Sequence, residues 1–182
     1  MRALVVVNPA ATSTSAKMRD VLVGALASEL KLDVVETSHR GHARELGVQA
    51  AAEGMDLVVS VGGDGTVNEV VNGLLSEGPA PDLPMLAVVP GGSTNVFSRA
   101  LGRSRDPVEA TAEVLASLRA GRTRLVSLGT ASVGRCGDGP FASSPLTTSL
   151  TVPSPPTDTT SSMPSAAASA AACSPSSRAC PR

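Results

Sequence analysis

Leu57-Val58-Val59-Ser60-Val61-Gly62-Gly63-Asp64-Gly65-Thr66-Val67-Asn68-Glu69 reads as a short apolar strand that runs directly into a glycine-rich turn and then into a helix. A continuous apolar run suits a strand covered on both faces. The spacing predicts a helix over 66–75, closed by the stop signal Glu77-Gly78-Pro79. The same alternation extends in both directions. Residues 3–7 form a second apolar run that halts at Asn8-Pro9, and Met18, Val21, Leu22, Ala25, Leu26 and Leu30 then recur at helical spacing. Further strands are predicted over 32–37 and 85–89, with an Ala-rich helix over 42–53 ended by Gly54. Asp106-Pro107-Val108-Glu109 opens another helix with a cap, a proline at its first position and an acid in its first turn. Residues 122–128 read as a strand beginning a segment that does not finish. Strands alternating with helices imply parallel pairing through crossovers, hence an α/β fold: a three-layer, doubly wound, mostly parallel sheet. Ligands on such sheets sit at the carboxyl ends of the strands.

The chain has 182 residues, 42% hydrophobic and 17% charged, with a net charge of -1. One domain fits, or one domain with a tail. The charge balance argues against nucleic-acid binding, which needs clustered cations to neutralise phosphates. Tyr and Trp are absent and Phe occurs only at Phe97 and Phe141, so the core must be built from Val, Leu and Ala. No run approaches the roughly 20 apolar residues of a membrane-spanning helix, and Met1-Arg2 leads straight into a strand, so a cytoplasmic protein without a transmembrane segment is expected. Cys136, Cys173 and Cys180 have no metal-binding spacing.

The character of the sequence changes near residue 133. From 134 to 182 there are 11 Ser, 8 Pro, 8 Ala and 6 Thr, against three large aliphatic residues, Leu146, Leu150 and Val152. Such a composition buries too little apolar area to offset chain entropy, and a disordered tail is expected over 134–182, following an α/β lobe over 1–133. Two origins fit: a natural Pro/Ser-rich tail, or a frameshift. Ile is missing and thirteen Arg stand against Lys17 and Lys31, a bias of GC-rich coding that would yield Pro, Ala, Ser, Arg and Cys out of frame.

The chemistry lies at the strand ends. In Gly62-Gly63-Asp64-Gly65-Thr66 the glycines permit close backbone approach, and free amides at a helix start attract phosphate oxygens. A carboxylate in a phosphate cradle would repel the anion unless a divalent cation or water lies between, which suggests a magnesium nucleotide. The competing reading is a tight turn with Asp64 as a helix cap. The stretch is neither a Walker A loop nor a dinucleotide fingerprint. Pro90-Gly91-Gly92-Ser93-Thr94-Asn95 makes a second glycine loop that also opens a helix, its polar side chains suited either to phosphate and ribose oxygens or to capping. Asn8-Pro9-Ala10-Ala11-Thr12-Ser13 makes a third polar loop, and Thr37 with Gly41-His42-Ala43 a fourth.

Asn8-Pro9, Thr37 with Gly41-His42-Ala43, the block from Gly62 to Leu74, and Pro90-Gly91-Gly92-Ser93-Thr94-Asn95-Val96-Phe97-Ser98-Arg99 together resemble the diacylglycerol kinase catalytic-domain family. That family includes sphingosine kinases and, more distantly, NAD kinases. The resemblance spans residues 1 to about 133. NAD kinases share the Gly-Gly-Asp-Gly-Thr core but not its continuation through Asn68-Glu69 to Asn72-Gly73. Two positions depart from the family pattern: Val96 stands where an Asp is common, and Ala10-Ala11 follows Asn8-Pro9 where a glycine is usual.

The resemblance implies a Rossmann-like nucleotide lobe and ATP-dependent transfer of the γ-phosphoryl to diacylglycerol or a related lipid. ATP phosphates would lie against Asn8, Pro9, Ala10, Ala11 and Thr12, and against Gly62, Gly63, Asp64, Gly65, Thr66, Val67, Asn68 and Glu69, with Thr37 and Ser93 adding contacts. Asp64 would be the catalytic residue, acting on the transferred group through Mg2+ or water. The implied partner is a lipid substrate at the membrane surface, giving a cytoplasmic protein with peripheral membrane contact. Oligomeric state is not specified by these residues. Family members continue into a second, mainly β-sandwich domain, and nothing in 134–182 resembles it, so a truncated or frameshifted chain without the acceptor lobe is expected. The rivals are a non-catalytic or vestigial nucleotide-binding fragment and an NAD kinase.

Overall fold

A computed structural model describes residues 1–11, 15–129 and 148–154. Four strands make a parallel sheet: β1 (Arg2–Val7), β2 (Lys31–Glu36), β3 (Leu57–Gly62) and β4 (Met85–Pro90). They lie in the order β2-β1-β3-β4. Four helices of 11 residues or more connect or follow them: α1 (Ala16–Ala27), α2 (His42–Ala52), α3 (Asp64–Leu74) and α5 (Pro107–Arg119), with the short α4 (Val96–Ala100) after β4. The predicted elements all form, and the fold is the expected three-layer α/β sandwich.

The side-chain period of the strands assigns the two faces. Ala3, Val5 and Val7 of β1, Leu57, Val59 and Val61 of β3, and Ala87 and Val89 of β4 pack with Leu22 and Leu26 of α1 and Val114 and Leu115 of α5. The alternate residues Leu4, Val6, Val58, Leu86 and Val88 pack on the other face with Ala43, Leu46 and Ala50 of α2 and Val67, Val70 and Leu74 of α3. The continuous apolar runs therefore reflect burial on both faces. Helices α2 and α3 approach closely because glycine stands at both contact points: a Cβ on Gly73 would lie 2.2 Å from the Arg44 carbonyl oxygen, and one on Gly47 would lie 2.8 Å from that of Val70.

Two findings differ from the sequence expectation. Helix α3 begins at Asp64, two residues before the predicted start, so Asp64 sits in the first helical turn and not in mid-loop. A carboxylate is stabilised there by the helix dipole and the unpaired first-turn amides. Second, the stretch expected to be disordered contains a strand. β6 (Thr148–Pro153) pairs antiparallel with β5 (Thr123–Leu128). Leu150 and Val152, two positions apart and so on one face, are buried in the cluster that holds Leu86 and Val88. Around it, Arg103 donates from Nη2 to the Pro153 carbonyl at 2.5 Å, Ser117 Oγ donates to the Ser154 carbonyl at 2.6 Å, and Ser154 N donates to the Arg122 carbonyl at 3.0 Å. The rest of the expected tail, the three cysteines and Thr12 lie outside the described residues. Among the described residues, no helix is long and apolar enough to cross a membrane.

Candidate functional site

The order β2-β1-β3-β4 reverses its direction of winding between β1 and β3, and a cleft opens where connecting helices leave to opposite faces. Asn8 follows β1 at that point and Gly63 follows β3. Asn8 N donates to the Val61 carbonyl at 3.0 Å, its Oδ1 accepts from Ala10 N at 2.9 Å, and its Nδ2 donates to Thr66 Oγ1 at 3.1 Å. The first bond extends the ladder, the second turns the chain, and the third ties the β1 loop to α3. Gly62 is required beside this pair, since a Cβ there would lie 2.8 Å from Thr66 Oγ1.

The two glycine loops touch. Gly91 N donates to the Gly62 carbonyl at 2.9 Å, and a Cβ on Gly92 would meet the Gly63 Cα at 2.8 Å. Asn95, in the left-handed region at φ 47°, accepts at Oδ1 from Gly92 N at 3.0 Å and so closes the second loop on itself. Asp64 bridges the loops: its Oδ1 accepts from Phe97 N at 3.1 Å, across from the first turn of α4. The cap reading of Asp64 thus has a structural basis, although the helix it caps is the neighbouring one. No side chain caps α3 at its own N-cap, Gly63.

Three cavities meet along this edge. The smallest, about 240 Å³, lies between the loops and is lined by Asn8, Ala10, Ala11, Gly63, Asp64, Gly92, Ser93 and Thr94. A second, about 420 Å³, shares Asn8 and Ala10 with it and extends past Pro9, Thr37, Ser38, Arg40, Gly65, Thr66 and Glu69. The third and largest, about 820 Å³, shares Asp64 with the first and runs between α3 and α4. Asp64 alone lines both the small polar cavity and this large cleft.

The residues singled out from sequence distribute over all three. Asn8, Pro9, Ala10, Thr37, Gly65, Thr66 and Glu69 border the second cavity, while Ala11, Gly63, Asp64 and Ser93 border the first. Gly62 lines neither and packs against Thr66 and Asn8. Val67 and Asn68, grouped by sequence with the phosphate loop, face the large cleft, because they occupy a different side of α3 from Gly65, Thr66 and Glu69. His42 lies at the start of α2, where its Nδ1 accepts from Ser38 N at 3.1 Å and its ring stacks on that of His39 at 5.0 Å between centroids. In the two smaller cavities, sequence reading did not name Ser38, His39 and Arg40, which lie between Thr37 and Gly41, whereas Gly92 and Thr94, quoted with the second glycine loop, border the first cavity. Among the described residues, no three His, Cys, Asp or Glu side chains gather as a metal site.

Doubly wound parallel sheets carry their ligand sites where the winding reverses, and here two glycine loops meet at that point. The chain belongs to the diacylglycerol kinase catalytic domain family, whose pattern matches residues 2–131. It is 43% identical over 79 residues to a diacylglycerol kinase of Bacillus subtilis (strain 168), a match covering 43% of this chain and 25% of that protein. It is 36% identical over 93 residues to sphingoid long-chain bases kinase 1 of Arabidopsis thaliana, covering 47% of this chain and 12% of that one. A solved diacylglycerol kinase structure from Bacillus anthracis str. Sterne superposes with a TM-score of 0.59 at 30% identity, over 71% of this chain and 43% of that one. The chain thus matches about a quarter of its B. subtilis relative and under half of the solved B. anthracis chain.

Proposed function

We propose that this lobe binds ATP with Mg2+ and takes part in transferring the γ-phosphoryl to the hydroxyl of diacylglycerol or a related lipid. The observation that carries the reading is the position of Asp64, which lines both the small cavity between the glycine loops and the large cleft beside α4.

Phosphoryl transfer is mainly positioning and neutralisation of charge. The amides at the start of α3 suit phosphate oxygens in the small cavity, with Asn8 and Ser93 as side-chain partners. The second cavity, bordered by Thr37, Arg40 and Glu69, suits the rest of the nucleotide. With one carboxylate and no protein cage, the donor set fits Mg2+, which keeps waters and binds through one or two carboxylates plus phosphates. When bound, the ion would neutralise charge on the phosphate oxygens. The acceptor oxygen attacks the γ-phosphorus in line, the bond from that phosphorus to the bridging oxygen breaks, and ADP leaves. The hydroxyl proton goes to a general base, and Asp64 is the carboxylate available to take it from this lobe. Its bond to Phe97 N holds the carboxylate between the small cavity and the large cleft.

The test is transfer of radiolabelled γ-phosphate from ATP to dioctanoylglycerol by this chain, with NAD offered as a competing acceptor. Labelled phospholipid supports the reading, and labelled NADP replaces it with an NAD kinase. A second reading is a nucleotide-binding lobe without turnover; binding of MgATP with no labelled product would select it.

A further inference from the structure

We infer that His42 is a positioning residue of the nucleotide site: its imidazole lines none of the three cavities and instead holds Ser38, and through it the loop over 37–40 that walls the second cavity. This rests on the nucleotide reading of that cavity and adds to it the residue that shapes its wall.

The loop between β2 and α2 borders the cavity with Thr37, Ser38, His39 and Arg40. Ser38, His39 and Arg40 are exposed, so packing does little to fix them. The backbone supplies a tie at each end: Thr37 N donates to the Val7 carbonyl at 2.8 Å, and His42 N to the His39 carbonyl at 3.3 Å. Gly41, at φ 92°, turns the chain into α2 and, as its N-cap, has no side chain to hold the loop.

His42, the first residue of α2, takes that part by reaching backward along the chain. Its Nδ1 accepts from Ser38 N at 3.1 Å. A backbone N–H can only donate, so the free lone pair of the neutral ring is on Nδ1 and its hydrogen on Nε2. Ser38 Oγ stands 3.1 Å from the same nitrogen and 2.9 Å from His39 Nδ1. With the His42 lone pair given to the amide, the hydroxyl hydrogen is left for His39. The two rings lie parallel, 3° apart in plane and 5.0 Å between centroids, and His39 Nε2 is 3.6 Å from Glu45 Oε1 in the first turn of α2. Ser38 is thus clamped between two imidazoles, one belonging to α2 and the other tied to it by Glu45. A wall set in this way is ordered before a ligand arrives, and binding is spared that cost.

The experiment measures the affinity of the full chain and of two variants for MgATP and for magnesium tripolyphosphate, which carries phosphates without base or ribose. His42→Phe keeps a ring to stack on His39 and removes the acceptor. His42→Asn gives up the stack and returns an acceptor oxygen near the place of Nδ1. MgATP affinity should fall about three- to tenfold in His42→Phe, the worth of one hydrogen bond, and return close to the wild-type value in His42→Asn. Tripolyphosphate affinity should be the same in all three proteins, since the phosphates belong to the small cavity. Equal losses of MgATP affinity in the two variants, or parallel losses for both ligands, would overturn the inference. Nitrogen NMR of the histidine rings in the unliganded wild type checks the clamp without any substitution: hydrogen on His42 Nε2 is expected, and hydrogen on Nδ1 at neutral pH would equally overturn it. Failure of the wild type to bind MgATP while the ring carries its hydrogen on Nε2 would remove the nucleotide reading itself, and the inference with it.

Discussion

Gly63 and Gly92 belong to different loops, yet a single added carbon on Gly92 would come within 2.8 Å of the Gly63 Cα. Neither residue has a positive φ, so the requirement for glycine is one of space. Gly92→Ala should force the loops apart at a cost of about 1–3 kcal/mol, and MgATP affinity should fall with it. Calorimetric titration together with a thermal melt checks both, and an alanine variant with unchanged affinity would remove the small cavity from the nucleotide site.

Asp64→Asn tests the carboxylate without removing the acceptor for Phe97 N, because an amide oxygen can still take that hydrogen bond. The fold and melting temperature should be kept. Phosphate transfer, measured in an active form of the protein, should fall by about 10²–10⁴-fold if Asp64 takes the proton. Unchanged turnover would reduce Asp64 to the cap of α4.

Glycines of different surroundings should respond in opposite senses to the same substitution. Gly73→Ala places a Cβ 2.2 Å from the Arg44 carbonyl oxygen between α2 and α3, and should destabilise by about 3 kcal/mol or more. Gly24 lies inside α1 with nothing within 4 Å of an added Cβ, and Gly24→Ala should stabilise by about 0.5–1 kcal/mol. Urea denaturation of the pair provides the comparison.

Arg103 is 5% exposed, with Nη2 on the Pro153 carbonyl and Nη1 3.7 Å from Glu113 Oε2. Burial pushes the guanidinium below its ordinary value, and Glu113 opposes that shift. Arg103→Ala removes the cation beside Glu113, which keeps its bond from Ser104 N, and leaves the Pro153 carbonyl without its donor, so a loss of about 1–3 kcal/mol is expected. Arg103→Met, which fills the space, should recover part of it. Equal losses for both variants in chemical denaturation would place the contribution in charge pairing alone.

At the end of α5, Arg119 Nε donates to Glu29 Oε2 at 2.8 Å and joins that helix to the chain after α1. That bond holds the Glu29 carboxyl below its ordinary value of 4.5. The folded state then binds this proton less readily than the unfolded chain, so the stabilisation is complete above about 4.5 and disappears as pH falls through the lowered value. The pair is solvent-facing and screened by salt, so the effect is small. Comparison of wild type with Glu29→Gln should show a difference at neutral pH that closes in acid and shrinks at high ionic strength.

Most of the sheet was legible in the sequence because its strands are buried on both faces and show as unbroken apolar runs at 3–7, 57–61 and 85–89. The glycine loops were legible for the same reason, each following such a run. Strand β6 was not: two aliphatic residues among Ser, Thr and Pro carry no periodic signal, and only their distance from β4 in space makes them core. The large cleft was also hidden, since it arises from the packing of α3 against α4 and β5, and the pattern of α3 alone does not distinguish a wall facing the core from one facing a ligand.

Strand β6 has one more implication. The side of β4 that carries Leu86 and Val88 shares its cluster with Leu150 and Val152, which are made long after it. The core on that flank of β4 is therefore complete only once a hexapeptide far along the chain has been made and has docked.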